Sequence, residues 1–164
     1  MLIYSCLTIK SLGQGGLALK EKVMLHIEAY QLVEGQKEHL VSLDTVGFAY
    51  EDQDFLYLEY EETELIGVKG TTTQICLPFL DNKKVIIKRI GSSSMNQVYV
   101  KGEKYQTSYL TPYGEMSVEL LPSMVNVLKT DTYIKITLSY DLVVSSQYVG
   151  QHQLNIEAKL NVTV

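Results

Sequence analysis

The feature that most constrains this chain is a period of two in its hydrophobicity. From Val23 onward, apolar and polar residues alternate in runs that are separated by short turn clusters. Side chains of a β-strand point alternately to opposite faces, whereas an amphipathic helix repeats about every 3.6 residues. The pattern therefore predicts ten strands, at 23–32, 39–50, 55–63, 71–77, 84–90, 97–101, 104–111, 115–128, 133–145 and 151–163.

The connections between these strands determine the expected topology. They are short, at 34–36, 51–54, 81–83, 112–114 and 130–131. Connections of this length join neighbouring antiparallel strands, so they favour an up-and-down order over a Greek key. Closing the sheet removes its exposed edges. The sequence predicts an all-β fold, an antiparallel up-and-down β-barrel of about ten strands, in one domain over 23–164.

Residues 1–22 precede the first predicted strand and include the glycine-containing stretch 13–16. Lys20 and Glu21 can be encoded by a purine-rich ribosome-binding sequence just upstream of Val23 and Met24. Two interpretations stay open: translation begins near Met24 in the cell, or the segment is a genuine N-terminal arm. We expect residues 1–19 to contribute little to stability, because the glycine-containing stretch interrupts them.

Charge and cysteine content exclude several functions. The chain has 14 basic and 19 acidic residues, a net charge of -5, and Arg89 is its only arginine. Such a chain repels phosphate backbones and lacks bidentate base contacts, so nucleic acid is not an expected partner. No apolar run is long enough to span a membrane. Two cysteines, Cys6 and Cys76, are too few for a disulfide scaffold and indicate a reducing cytoplasm.

Alternation also assigns an inner face to each strand. Four polar-tipped residues fall on this face, Tyr60, Arg89, Tyr109 and Tyr140, and they are the candidate ligand-binding residues. The rest of the predicted inner wall is mainly aliphatic, comprising Leu25, Ile27, Val41, Leu43, Leu56, Leu58, Ile75, Leu77, Val85, Ile87, Val98, Val100, Val118, Leu120, Ile134, Ile136, Leu138, Leu142, Leu154, Ile156, Ala158 and Leu160.

Four segments of the sequence, in this order, carry a resemblance to a known family. They are YLEYE at 57–61, KVIIKRIG at 84–91, YLTPYGE at 109–115 and IKITLSYDL at 134–142. Together they resemble the YwiB-like family, bacterial domains of unknown function with a calycin, lipocalin-like β-barrel. The resemblance implies this fold and a bacterial cytoplasmic setting. It carries over no catalytic or cofactor residue, and calycins as a group often hold small apolar ligands inside the barrel.

The histidines do not form a convincing metal site. His39 and His152 begin strands at what would be the same barrel rim, but His26 lies mid-strand on the outward face with Glu28. We therefore interpret all three histidines as surface residues and expect no metal ion.

Two further motifs have structural interpretations. The acidic run of Glu59, Glu61, Glu62 and Glu64 is expected to be a hydrated edge, because Glu59 and Glu61 alternate away from the inner face. The serines at 92–94 lack the lysine and helix of a phosphate-binding loop. We expect them to form an ordinary loop.

Arg89 shares its face with Val85 and Ile87, so it must find a carboxylate, carbonyl or hydroxyl oxygens, or an anionic ligand. The leading hypothesis is a non-enzymatic binding module that holds a small amphipathic or apolar ligand inside the barrel, without a cofactor. One alternative is a structural or interaction barrel filled with side chains. The other is an enzyme, which would need an inward carboxylate or histidine beside Arg89.

Overall fold

A computed structural model describes residues 19–63 and 67–160. Glu64, Cys6, most of the N-terminal extension and the end of the last predicted strand lie outside these residues. The described chain forms ten strands, β1 Glu21–Val33, β2 Gln36–Glu51, β3 Phe55–Glu61, β4 Thr71–Pro78, β5 Lys84–Gly91, β6 Met95–Val100, β7 Tyr105–Thr111, β8 Gly114–Lys129, β9 Tyr133–Val144 and β10 Gln147–Lys159.

The strands follow an up-and-down order that nearly closes into a barrel. Their spatial order is β6-β5-β4-β3-β2-β1-β10-β9-β8-β7, and all neighbouring strands in this order pair antiparallel. The first and last strands pair, with Ile27 opposite Ile156, as the predicted up-and-down barrel requires. Between β6 and β7 the described residues form one isolated bridge, from Ser94 to Leu110. We call this incompletely paired junction the seam.

Alternation places the core where the sequence predicted it. In β9, Ile134, Ile136 and Leu138 are buried, whereas Lys135 between them is exposed. Val41, Leu43, Leu142 and Leu154 are only partly buried. The other predicted aliphatic positions are buried in the core apart from two on β6, and they are Leu25, Ile27, Leu56, Leu58, Ile75, Leu77, Val85, Ile87, Val118, Leu120, Ile134, Ile136, Leu138, Ile156, Ala158 and Leu160.

The inward face of β6 is the exception. The prediction that Val98 and Val100 point inward is wrong, because Tyr99 is the buried residue of this strand, with 1% exposure. Tyr99 lies opposite the buried Val85 on β5. Directly opposed residues of an antiparallel pair share a face, and a shift of one residue exchanges all inward and outward side chains.

Strand length divides the wall into two halves. β8, β9, β10, β1 and β2 have 12 to 16 residues each. β3 to β7 have only 6 to 8 residues each. We refer to these as the long half and the short half. Within the described residues, no helix is long and apolar enough to cross a membrane.

Candidate functional site

The candidate site is built by strand register in the short half. Tyr60 of β3 lies opposite Thr73 of β4, Thr73 lies opposite Arg89 of β5, and Arg89 lies opposite Met95 of β6. Opposed residues share a face, so these four side chains form one row across the inner surface. Arg89 therefore lies on the inner face, as the alternation predicted.

Glu62 is the direct partner of Arg89. The distance from Arg89 Nε to Glu62 Oε1 is 2.7 Å, and the side chain of Glu62 is only 1% exposed. The Thr73 hydroxyl donates to the same oxygen, and the backbone N–H of Val68 donates to Oε2, each at 2.8 Å. A Cβ on Gly67 would lie 2.0 Å from Oε2, so only glycine fits over this carboxylate.

The expectation that Glu62 belongs to a hydrated edge is therefore wrong. Buried carboxylates need a charged or hydrogen-bonding partner, and Arg89 and Thr73 supply it. The signal was present in the sequence, because Leu56, Leu58, Tyr60 and Glu62 are consecutive members of one alternating series. Continuing that series past the end of β3 places Glu62 inside.

The remaining surface of Arg89 contacts an aromatic ring and open space. Its Cζ lies 5.2 Å from the centroid of the Tyr109 ring, within the range of a cation–π interaction. The Arg89 side chain retains 25% exposure, so the guanidinium is neither free in solvent nor sealed inside. Tyr60, Arg89 and Tyr109 thus belong to one polar region, in which burial raises the pKa of Tyr60.

Tyr140, the fourth predicted residue, belongs to an aromatic cluster with Tyr99 and His152. Its ring meets Tyr99 edge-on at 5.3 Å and stacks on His152 at 5.9 Å. The Tyr99 hydroxyl donates to Gln97 Oε1, and burial raises the pKa of Tyr99 and Tyr140. The interpretation of His152 as a surface residue is wrong, because it is partly buried beside Tyr140. His152 lies two positions before the inward Leu154, so alternation along β10 would have placed it on the inner face.

A groove lies beside Arg89 where β6 and β7 separate. Its volume is about 470 Å³, and it is lined by Lys88, Arg89, Ile90, Ser94, Met95, Asn96, Thr107 and Ser108. Arg89, Met95 and Thr107 belong to the inner face, whereas the exposed Lys88 and Asn96 belong to the outer face. The groove therefore cuts through the barrel wall and reaches Arg89 from outside.

The backbone explains why the wall opens here. Ser94 and Leu110 exchange two N–H to C=O bonds, of 2.8 and 2.9 Å. In the described part of the chain, no β-ladder pairs β6 with β7. One side-chain bond crosses the seam, from Asn96 Nδ2 to the hydroxyl of Tyr105 at 3.0 Å. Most hydrogen-bonding groups along these two edges therefore have no partner strand.

The charge of the groove comes from two basic side chains. Lys88 makes no ion pair within the described residues, and Arg89 carries Glu62 on its Nε side. No carboxylate of residues 19–63 or 67–160 lines the groove, while Ser94, Thr107 and Ser108 add hydroxyls. This arrangement can bind an acidic group through charge-assisted hydrogen bonds. In the described part of the chain, no cluster of three or more His, Cys, Asp or Glu side chains could hold a metal ion.

His26, Glu59 and Glu61 lie on the outer surface, away from the groove beside Arg89. His26 Nδ1 lies 2.7 Å from Asp44 on the outer surface, and its side chain is 42% exposed. Glu59 accepts a bond from the Tyr50 hydroxyl and pairs with Lys20, while Glu61 is exposed. These groups lie on the outer face and take no part in the site beside Arg89.

Comparisons with known proteins agree with this architecture. Residues 25–156 match the model of a domain of unknown function, DUF1934. The chain is similar to the uncharacterized beta-barrel protein YwiB of Bacillus subtilis (strain 168), with 24% identity over 134 residues, 82% of this chain and 90% of YwiB. The crystal structure of the ywiB protein from Bacillus subtilis superimposes with a TM-score of 0.71 at 22% identity, covering 87% of this chain and 94% of that one. The structural likeness supports the barrel fold.

Proposed function

This chain belongs to the DUF1934 family, and we propose that it is a non-enzymatic binding protein whose small ligand places an acidic group in the groove beside Arg89. One observation carries the proposal. Among the described residues, the lining of the groove has two basic side chains and no acidic one, although the whole chain has a net charge of -5. Basic residues gathered at an opening in an acidic protein attract anionic ligands.

The proposed position of the ligand is the groove, whereas the sequence analysis placed the ligand inside the barrel. Leu58, Ile75 and Val85 are buried on the inner wall, so packed side chains fill the barrel at their level. We therefore place the acidic group in the groove, with any apolar part of the ligand against Met95 and Tyr109 next to Arg89. The calycin relationship and the cytoplasmic setting that the resemblance implies are part of this proposal.

Two alternatives compete with it. The pairing of Glu62 with Arg89 favours a filled barrel, because the buried charge already has a partner without any ligand. Glu62 is also the inward carboxylate that an enzyme would need. It is 1% exposed and accepts bonds from Arg89, Thr73 and Val68, so it offers no accessible general base.

Calorimetric titration with octanoate and octanol tests the proposal. The two probes have the same chain length, and only octanoate carries a charge. We expect octanoate to bind and octanol to bind at least about tenfold more weakly, since a hydrogen bond to a charged group contributes about 1.5–3 kcal/mol. Equal binding of the two probes, or no binding of octanoate, would contradict an acid site.

Two lysine variants locate the site. Lys88→Gln should weaken octanoate binding about three- to fivefold, because it removes an exposed charge from the groove. Lys84→Gln is the matched control, since Lys84 lies on the same strand and does not line the groove. If both variants bind octanoate equally well, the acid binds elsewhere on the protein.

A further inference from the structure

We propose that the ligand of the groove is a short acidic peptide that binds in an extended conformation and pairs its main chain with the free edges of β6 and β7. The inference rests on the acid site proposed above and names the class of ligand that fills it. Its support is separate, because it comes from the backbone of the seam. Strand addition to an exposed sheet edge is a general mode of peptide binding.

The backbone directions follow from the single bridge. Ser94 and Leu110 direct both their N–H and C=O groups across the seam. These groups alternate in direction along a strand, so residues two positions away direct theirs across the seam as well. Those residues are Asn96 on β6 and Ser108 on β7, and both line the groove. Each offers one donor and one acceptor, the complement of a peptide backbone rather than of a simple anion.

The charges specify the side chains of such a peptide. Consecutive side chains of an extended peptide point to opposite faces of the sheet. The groove presents Lys88 on the outer face and Arg89 on the inner face. Two adjacent acidic residues would therefore meet one basic side chain each. The outward carboxylate meets Lys88, which has no ion-pair partner among the described residues, and the inward one meets a guanidinium that also holds Glu62.

The probe is the peptide acetyl-Val-Glu-Glu-Val-amide, titrated into the full chain. Its first control is the same peptide with alternate amides N-methylated, which keeps both charges and loses backbone donors. Its second control is acetyl-Val-Gln-Gln-Val-amide, which keeps the backbone and loses the charges. We expect each control to bind at least about tenfold more weakly than the probe, as the loss of two hydrogen bonds or two charged contacts implies.

Variants of the protein test the same contact from the other side. Ser108→Pro removes the N–H directed across the seam and leaves the ladder to β8 intact, because proline is tolerated on a free edge. It should weaken binding of the peptide but not of octanoate. Ser108→Ala keeps the N–H and should bind the peptide as the natural chain does. If Ser108→Pro fails to fold, the N-methylated peptide on the unaltered chain decides the question.

The outcomes separate the two proposals. If octanoate binds and the N-methylated peptide binds as tightly as the unmodified one, main-chain pairing is overturned and the acid site stands. The same conclusion follows if octanoate binds but neither the unmodified nor the N-methylated Glu-Glu peptide binds. If neither octanoate nor the peptide binds, both proposals fall. Tight binding of the Glu-Glu peptide that N-methylation and Ser108→Pro both reduce would support strand pairing at the seam.

Discussion

The long and short halves of the barrel wall are built for different tasks. In the long half, strands of 12 to 16 residues pair along most of their length, and inward aliphatic side chains pack against one another. The short half contains the buried ion pair of Glu62 and Arg89, the groove and the seam. Both halves contribute buried side chains to the core, so the difference teaches that the short half combines this packing with a buried ion pair and an incompletely paired wall.

A large loss of stability is expected from breaking the ion pair between Glu62 and Arg89. Glu62→Leu leaves Arg89, Thr73 and the N–H of Val68 without their acceptor. We expect the free energy of unfolding to fall by about 3 kcal/mol, at the lower end for a broken buried pair because Arg89 is partly exposed. Urea denaturation measures the change.

The double variant Glu62→Leu with Arg89→Met is the control for this prediction. Replacing both charges by apolar residues should restore stability to near that of the natural chain, since a buried pair contributes little net stability. The same variant should lose the preference for octanoate over octanol. A single variant as stable as the natural chain would show that the short half does not depend on this pair.

Regular alternation explains how much of the fold could be predicted. Polar and apolar residues alternate from Ile134 to Leu142 in β9 and from Leu154 to Lys159 in β10, and most of the predicted inward residues there are buried. In β6 the run of Val98, Tyr99 and Val100 is apolar throughout, and only pairing with Val85 on β5 selects Tyr99 as the inward residue. Sequence periodicity cannot determine a face when both faces are apolar.

The site was only partly predictable for a related reason. Arg89 and the three tyrosines were identified by alternation within their own strands. The partner of Arg89 depends on contacts between segments distant in sequence, and Glu62 lies just beyond the end of β3. The seam depends on how far two neighbouring strands remain paired, which the curvature of the whole sheet determines and no local pattern reports.

Truncating one apolar side chain in each half compares a fully buried core residue with a residue at the groove. Leu138→Ala, in the long half, removes a side chain with 0% exposure and should destabilise the protein by about 2–5 kcal/mol. Met95→Ala, in the short half, removes a partly exposed side chain at the groove and should cost about 1 kcal/mol. Thermal and urea unfolding give both values. Equal losses would show that Met95 packs as tightly as Leu138.

The smallest expected effect is on the pH dependence of stability, and it arises at His26 on the outer surface of the long half. Hydrogen bonds to Asp44 and Glu28 raise the pKa of His26 above its ordinary value. A raised pKa means that the folded state favours the protonated form, so this stabilisation is complete below the ordinary pKa and is lost as pH rises through the folded one. His26→Gln should flatten a shallow decline in stability in that window. A stability that instead rises with pH there would contradict the assignment.

Amide hydrogen exchange at the seam tests the central claim most directly. Protection from exchange requires a persistent hydrogen bond, and each backbone amide reports its own bond. We predict protected amides at Ser94 and Leu110, which bond to each other, and rapid exchange at Asn96 and Ser108. Adding acetyl-Val-Glu-Glu-Val-amide should slow exchange at Asn96 and Ser108. Protection of all four amides in the free protein would mean that β6 and β7 form a closed ladder, and it would contradict the open groove beside Arg89.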